Sequence, residues 1–516
     1  MNTLVELELT PAQAADPAAI RQACAARLGW ASEEWRLVPR RRSIDSRRGQ
    51  PRILLTVQVY RGEEPPPEPP AFQHAPPRLR HRVLVVGAGP AGYFAALELL
   101  LRGIRPIVLE RGKDTRARRY DLRAIMREGR VDPHSNYCFG EGGAGAYSDG
   151  KLYTRSAKRG DVGQVLRWLV EHGARSDILV DSHPHLGSDR LPEVVANMRR
   201  TIQRLGGEVH FGHHVSDLLV EGGRFRAAQV NGGDWVPGEA LILATGHSAR
   251  DVYRLLHRRD LRLESKPFAI GVRVEHPQEL IDQIQYRQRP RDPYLPPASY
   301  RIAREGVYSF CMCPGGFIVP AATAPGELVV NGMSMSRRNS RWANSGIVTA
   351  VTEEDLREHA ARGPLAGLEL QSSLERAAFA ANGEGSQRAP AQRLVDFLAA
   401  RDSVDLPVSS YHPGLLPWPL AELLPPRVGA ALRFGLERIC GALRGFYTRE
   451  AVMVAVESRT SSPVRIPRTA EMHHPECANL FPCGEGAGFA GGIVSAALDG
   501  QAVARAVAGT LGEERS

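Results

Sequence analysis

Gly87-Ala88-Gly89-Pro90-Ala91-Gly92 stands between an apolar strand, Val83-Leu84-Val85-Val86, and an apolar helix that runs to Leu101. Each glycine has a separate task. Gly87 lets the chain turn tightly off the strand, Gly89 leaves no side chain in the path of a pyrophosphate, and Gly92 lets the helix pack close to the sheet. The free N–H groups and the positive dipole end of that helix then face the phosphates. After Gly103 a second strand, Pro106-Ile107-Val108-Leu109, ends at Glu110, 23 residues beyond Gly87. A carboxylate there can accept both hydroxyls of an adenosine ribose and would repel a 2′-phosphate, which selects FAD or NAD over NADP. The motif by itself does not separate FAD from NAD.

Other residue types that carry chemistry lie further along. Asn136 to Lys151 is a glycine-rich loop with no helical or strand period, and it contains Gly143, Ser148, Asp149 and Lys151. Such backbone can approach a flat ligand closely and donate N–H groups to it. Lys151 reads equally as a group near a cofactor or an acidic substrate and as a surface residue after a turn. Cys311 and Cys313, two apart, would face the same side of a strand. A redox pair and two buried small residues are both compatible with that spacing, and the second reading is preferred. Cys483 reads as a packed strand end. The pairs His183/His185, His213/His214 and His473/His474 have no carboxylate cluster to complete a shell, so no metal site is expected. Glu457 to Ser462 is a polar stretch that reads either as cleft lining or as a strand cap. No residue is assigned as catalytic.

The elements that must position these groups can be read from composition and period. A chain of 516 residues with 43% hydrophobic and 24% charged residues has the make-up of a soluble protein of two to four domains. No apolar run approaches the ~20 residues of a membrane span. The first residues lack the basic and apolar regions of a signal peptide. Seven sparse cysteines fit a reducing cytoplasm. The net charge of +9 is carried mostly by arginine, with lysine only at 113, 151, 158 and 266. That bias reads as genomic composition.

Residues 1–60 read as a small α/β domain, with strands at Leu4–Leu9 and Ile53–Tyr60 and a helix at Pro17–Leu28. Between them the basic run Arg40 to Arg48 reads as a solvated loop in preference to a nucleic-acid surface. A proline-rich linker occupies 61–80. The first part of a dinucleotide-binding domain follows at 81–254. It includes a buried strand ending in Ala244-Thr245-Gly246, where small residues let the strand end pass near a cofactor. Residues 255–445 read as an inserted, largely antiparallel domain that covers the cofactor and holds a substrate. Residues 446–516 return to the first theme, with Gly484-Glu485 before Gly491-Gly492-Ile493 and a helix from Val494. In space this segment belongs beside Gly87.

Three signals in order, Gly87–Gly92 with Glu110, Ala244-Thr245-Gly246, and Gly484-Glu485 before Gly491-Gly492, resemble the two-dinucleotide-binding-domain flavoproteins. Gly140 to Leu152, Ser309-Phe310-Cys311-Met312-Cys313-Pro314-Gly315-Gly316 and Asn331-Gly332-Met333-Ser334 are similar to motifs of the uncharacterised bacterial FAD-dependent dehydrogenases within that superfamily. The resemblance implies an α/β fold: a Rossmann-like FAD domain of discontinuous segments, an inserted mixed α+β substrate domain and a small N-terminal α/β domain. It implies that Gly87, Ala88, Gly89, Pro90, Ala91 and Gly92 wrap the pyrophosphate, and that Glu110 and Arg111 take the ribose and the adenine side. Gly143, Ser148, Thr245 and Gly246 would wall the cofactor, and Val215 would offer its backbone to the adenine. Gly484 and Glu485, the latter where relatives usually carry aspartate, would lie near the ribitol. The helix opening at Gly492 and Ile493 would point at the flavin pyrimidine edge and favour the charge gained on reduction.

The implied activity is an oxidoreductase, a dehydrogenase or reductase, that passes hydride through non-covalent FAD to or from a small molecule. No second nucleotide fingerprint is present, which leaves the donor open between a transient NAD(P)H and a protein. Two other readings stand beside this one: an RNA-associated flavoprotein docking through the basic run, and a non-catalytic flavin-bound interaction protein.

Overall fold

The computed structural model describes residues 2–29, 35–47, 49–62, 70–73, 78–154, 157–383 and 385–513. Most of the proline-rich linker lies outside the described residues. Among the described residues no helix is long and apolar enough to cross a membrane.

The N-terminal unit is a sheet of β1 (Asn2–Leu9), β2 (Trp35–Asp45) and β3 (Arg52–Arg61), with α1 (Pro11–Ala15) and α2 (Pro17–Leu28) against it. β1 and β3 alternate cleanly, and Val5, Leu7, Leu9, Leu55, Val57 and Val59 form one face with Cys24 and Trp35. The basic run expected as a loop is in fact part of β2, up to Asp45. β2 is an edge strand, and charge on an edge strand discourages pairing with another chain. A bulge between Pro39 and Arg41 breaks its alternation, which is why its period is not legible. Its charges are partly spent within the chain. Arg42 Nε meets Asp181 Oδ1 at 2.6 Å and the Arg42 backbone exchanges bonds with Val180 and Ser182.

The central sheet is parallel throughout. β4 (Arg80–Val86) lies beside β5 (Ile104–Glu110), which lies beside β6 (Glu208–Phe211). Helices α3 (Pro90–Leu101), α4 (Thr115–Glu128), α5 (Val162–Glu171) and α6 (Leu191–Arg204) fall within or between these crossovers. An antiparallel three-stranded unit, β7 (Val215–Glu221), β8 (Arg224–Val230) and β9 (Trp235–Pro237), leads to β10 (Ala240–Leu243) and then α7 (Arg250–Arg258). β10 pairs with β4 on one side and with the C-terminal strand Leu480–Pro482 on the other. The two ends of the chain therefore meet in one sheet, as the motif order implies.

Close backbone contact explains two glycines. A Cβ on Gly92 would lie 1.9 Å from the Gly87 carbonyl oxygen, and one on Gly500 of the C-terminal helix (Ile493–Glu513) would lie 2.2 Å from the Ala91 oxygen. Both helices thus pack backbone to backbone over the first glycine turn.

The second layer is a seven-stranded sheet, antiparallel except for the pairing of Ala389–Arg393 with Leu415–Pro417. At its centre Ala269–Pro277 pairs with Trp342–Ala350 and with Val452–Glu457. Apolar side chains from this sheet and the helices around it form their own core. Two arginines and two glutamates, all buried, tie this layer to the central one. Arg250 of α7 bonds Glu327 and Glu375, each at 2.8 Å. Arg459 bonds Glu375 at 2.6 Å and Glu327 at 3.0 Å. Burial alone would raise the Glu375 carboxyl, but the Arg250 and Arg459 guanidiniums outweigh it and hold it below the usual range. Glu327 is raised, by burial first and by the Glu375 charge second.

Glu375→Ala leaves two buried guanidiniums short of an anion, a loss of about 3–5 kcal/mol, read as a lowered denaturant midpoint. His276, fully buried, has its Nε2 2.9 Å from the Phe446 carbonyl and its ring against Phe446 at 4.1 Å. Burial lowers its pKa to about 4, against about 6.5 in the unfolded chain. The native state cannot take up the proton that the unfolded state accepts. This stability is therefore complete above pH ~6.5 and is lost as pH falls towards about 4. His276→Gln keeps a donor for Phe446 and removes the titration, so its stability falls less steeply than wild type over that window in urea unfolding.

Candidate cofactor site

One cleft of about 370 Å³ opens where the C-terminal ends of β4, β5 and β10 face the second layer. Ligands bind at this edge of a parallel sheet because the turns there are free of the ladder. From the sequence-derived set, Gly87, Gly89, Pro90, Ala91, Glu110, Arg111, Gly143, Ser148, Val215, Thr245, Gly246, Glu485, Gly492 and Ile493 all line it. Ala88, Gly92 and Gly484 do not. They shape the wall from behind: Ala88 N donates to Glu110, Gly92 admits the Gly87 carbonyl, and Gly484 N donates to Asp499.

Glu110 is buried and accepts three backbone N–H bonds. Gly112 N and Gly140 N reach Oε1 at 2.8 and 3.0 Å, and Ala88 N reaches Oε2 at 2.8 Å. A carboxylate offers about four lone-pair directions. The one left, on Oε2, can take a single ribose hydroxyl.

The second glycine loop is held by groups that the sequence reading missed. Arg118 of α4 is fully buried and donates to the carbonyls of Asn136 at 2.8 Å, Glu141 at 2.8 Å and Gly143 at 2.9 Å. Glu141 is also buried and accepts from Tyr93, Arg199 and the Thr115 N–H, each at 2.8 Å. The loop is not irregular throughout, since Gly143–Tyr147 forms a short 3₁₀ turn. Held this way, Gly143 faces Gly89 backbone to backbone. A Cβ on Gly89 would lie 3.9 Å from the Gly143 Cα. This side-chain-free slot stands at the N-terminus of α3.

At one end of the cleft Arg111 lies over the Phe139 ring at 4.3 Å and pairs with Asp251 at 2.9 Å, while His214 Nε2 meets the other Asp251 oxygen at 2.6 Å. Burial pushes Asp251 up, but the His214 hydrogen bond and the Arg111 charge outweigh it and hold the carboxyl well below its usual range. Near the middle, the Thr245 hydroxyl is buried and has no hydrogen-bond partner among the described residues. His247 Nδ1 stands 3.7 Å from Glu485, and burial lowers its pKa.

The other end is walled by the second layer through Phe310, Cys311, Asn331, Arg459 and Thr460, with Lys151 and Asp149 from the glycine loop. Lys151 lines the cleft with its side chain 41% exposed, so it is both a cleft residue and a solvent-facing one. Its Nζ meets Asp149 Oδ2 at 2.8 Å and the Met312 carbonyl. Burial opposes its charge, but Asp149 and the Cys311 sulfur outweigh that and raise its pKa. Asp149 also accepts from Ser334 at 2.6 Å and from Arg338. His185 beside it is lowered to about 4, first by burial and then by Arg338. Cys311 and Cys313 do not sit as the regular strand pair the spacing suggests. A register shift between Phe310 and Cys313 lets Cys311 reach the cleft while Cys313 is buried behind it. Of the other residues singled out, Cys483 lines the cleft at a buried strand end, and His213 lines it beside His214. Glu457 belongs to a strand, pairing with buried Arg273 at 2.6 Å, while Arg459 and Thr460 beyond it reach the cleft.

The slot between Gly89 and Gly143, the helix N-terminus and the unpaired Thr245 hydroxyl suit a dinucleotide: backbone for a pyrophosphate and polar points along its length. The comparisons name it. A family model described as FAD binding domain matches residues 80–129, and one described as FAD-dependent protein, C-terminal domain-like, matches 267–460. A domain of unknown function matches 1–60. An uncharacterised protein of Clostridium beijerinckii is 44% identical over 434 residues, covering 83% of this chain and 80% of that one. Among solved structures, CtdE in complex with FAD is 12% identical with a TM-score of 0.34, covering 82% of each chain. The flavin-dependent brominase Bmp2 is 12% identical with a TM-score of 0.37, covering 84% of this chain and 79% of that one. The cofactor is FAD. With a relative this similar along most of its length, the chain belongs to the same family as the uncharacterised clostridial protein, and its own residues 267–460 carry the FAD-dependent C-terminal domain-like match.

Proposed function

We propose that this protein is an FAD-dependent oxidoreductase that passes hydride between non-covalently held FAD and a small molecule admitted beside Lys151, Cys311, Asn331 and Arg459. The observation that carries the reading is the two-sided cleft. One side is the side-chain-free backbone slot of the central sheet, and the other is a polar wall from a separate layer. A protein that merely stored a flavin would need only the first side.

FAD supplies the hydride chemistry when bound, and the protein's part is binding, orientation and electrostatics. The N-terminus of α3 and the Gly89–Gly143 slot would hold the pyrophosphate. Glu110 would take a ribose hydroxyl, and Thr245 would gain the partner it lacks. The start of the C-terminal helix at Gly492 and Ile493 lines the cleft, and its positive dipole end would favour negative charge on a flavin held there. Lys151 and Arg459 bring positive charge to the substrate side, which favours an anionic or carbonyl-bearing molecule. The Asp149 carboxylate holds the Lys151 ammonium in place and protonated.

Gly89→Val tests the slot by setting a branched side chain into it. Gly89 has φ −80, which any residue adopts, and a Cβ there would lie 3.9 Å from the Gly143 Cα. Gly89 is also the N-cap of α3, so the variant is expected to lose about 1 kcal/mol of stability, to remain folded, and to purify with little or no flavin absorbance. The reaction class is tested by anaerobic addition of NADH or NADPH to the holoprotein, followed by a screen of carbonyl, enoyl and carboxylate metabolites. Bleaching of the visible flavin band and its return with one metabolite class is the expected result. A purified protein that carries no flavin and takes up none removes the reading.

A further inference from the structure

Cys311 is a cysteine in an unusual place. It has φ +44, in the left-handed region, at the bulge that interrupts its strand. A non-glycine residue held there is strained and persists where the surroundings impose it, commonly at functional sites. The bulge turns Cys311 into the cleft and seats Cys313 directly behind. The Cys313 thiol donates to the Cys311 carbonyl at 3.2 Å.

The surroundings are charged and tightly built. Arg273, fully buried, donates to the Cys311 carbonyl at 3.3 Å, to Asn344 at 2.7 Å and to Glu457 at 2.6 Å. Lys151 donates to the carbonyl of Met312, between the two cysteines. The motif residue Gly332 makes room for this cluster. A Cβ there would lie 2.1 Å from Arg273 Nη1 and 2.8 Å from the Cys313 sulfur. Two sequence motifs, Ser309 to Gly316 and Asn331 to Ser334, thus converge on the cysteine pair.

We propose that Cys311 and Cys313 form a reversible dithiol/disulfide pair that exchanges electrons with the flavin, with Cys311 as the sulfur exposed to the cleft. The inference rests on the FAD-dependent oxidoreductase reading and extends it to a second redox group. In the oxidising direction the two S–H bonds break and one S–S bond forms. Two electrons and two protons pass to FAD, the two-electron acceptor. In the reducing direction the same electrons open the disulfide, and Cys311 is the sulfur that an incoming thiol or disulfide substrate can reach.

Electrostatics support the assignment of roles. The Cys313 hydrogen bond, and after it the Lys151 and Arg273 charges, outweigh burial and lower the Cys311 pKa, while burial raises that of Cys313. The acids facing the pair are Asp149 and Glu457, each already paired with Lys151 or Arg273. A low-pKa sulfur in front and a protonated one behind is the arrangement of an attacking and a resolving thiol.

The test uses the oxidised holoprotein. Anaerobic dithionite titration is expected to take up about four electrons per flavin in wild type and about two in Cys311→Ser and in Cys313→Ser. Independently, wild type treated with diamide, then denatured and alkylated, is expected to yield a peptide in which Cys311 and Cys313 are joined and unalkylated. Uptake of only about two electrons per flavin by wild type, with both cysteines alkylated after diamide, overturns the proposal. So does a disulfide joining Cys311 to another cysteine that lines the cleft, Cys138 or Cys483, instead of to Cys313. If either serine variant loses its flavin, the wild-type electron count and the peptide decide the matter. Absence of flavin from wild type sinks the functional reading, while the peptide still reports on the pair.

Discussion

A buried carboxylate that accepts three backbone N–H groups holds this molecule's cofactor corner together. Glu110 ends β5, and its two oxygens bind the glycine turn after β4 through Ala88, its own following turn through Gly112, and the second glycine loop through Gly140. These segments have little side chain with which to pack, so hydrogen bonds to a charged acceptor, worth about 1.5–3 kcal/mol each, replace packing. Arg118 completes the arrangement from the other side by collecting three of the loop's carbonyls. One buried anion takes N–H groups and one buried cation takes C=O groups. The loop between them keeps the slot opposite Gly89.

The same division of labour recurs between the layers. Apolar packing joins the layers as well as filling each core: Leu122, Ile125, Tyr137 and Tyr147 meet Val319, Ala321 and Val329, and a buried ionic network adds to that contact beside the cleft. Arg250 and Arg459 share Glu327 and Glu375. Arg459 is at once a member of this network and part of the cleft wall. The position of the polar wall over the cofactor is therefore set by the network that joins the layers. Such buried networks add little to stability compared with apolar substitutes, but they fix geometry, since every alternative leaves a charge unpaired.

Charge is distributed unevenly along the cleft. The first glycine turn and the C-terminal helix offer helix N-termini, and the far wall adds Lys151 and Arg459. Facing them, Asp149 is engaged by Lys151, Arg338 and Ser334, and Glu110 by backbone. Lys151 and Arg459 are in turn paired, with Asp149 and with Glu375 and Glu327, so the helix N-termini are what the cleft turns toward a ligand. A cofactor that carries a pyrophosphate and gains negative charge on reduction suits such a cleft at both ends.

Local pattern was enough for much of this. The glycine spacing with a strand before and a helix after, the acid at the end of the next strand, and the small-residue strand end at Ala244-Thr245-Gly246 each depend on a few adjacent residues. Their backbone requirements show directly in residue type. The basic run defeated the same method because a bulge in β2 breaks the period by which a strand is known. Arg118, Glu141 and Asp251 were invisible for a different reason. Their partners lie 18 to 140 positions away, and a charged residue in sequence carries no sign of whether it will be buried. The cysteine pair shows the boundary most plainly. The sequence by itself determined that two thiols stand two apart beside a glycine motif. Only the tertiary structure decided that one would face the cleft and the other lie behind it, because that depends on a backbone bulge imposed by a strand some 35 residues further on.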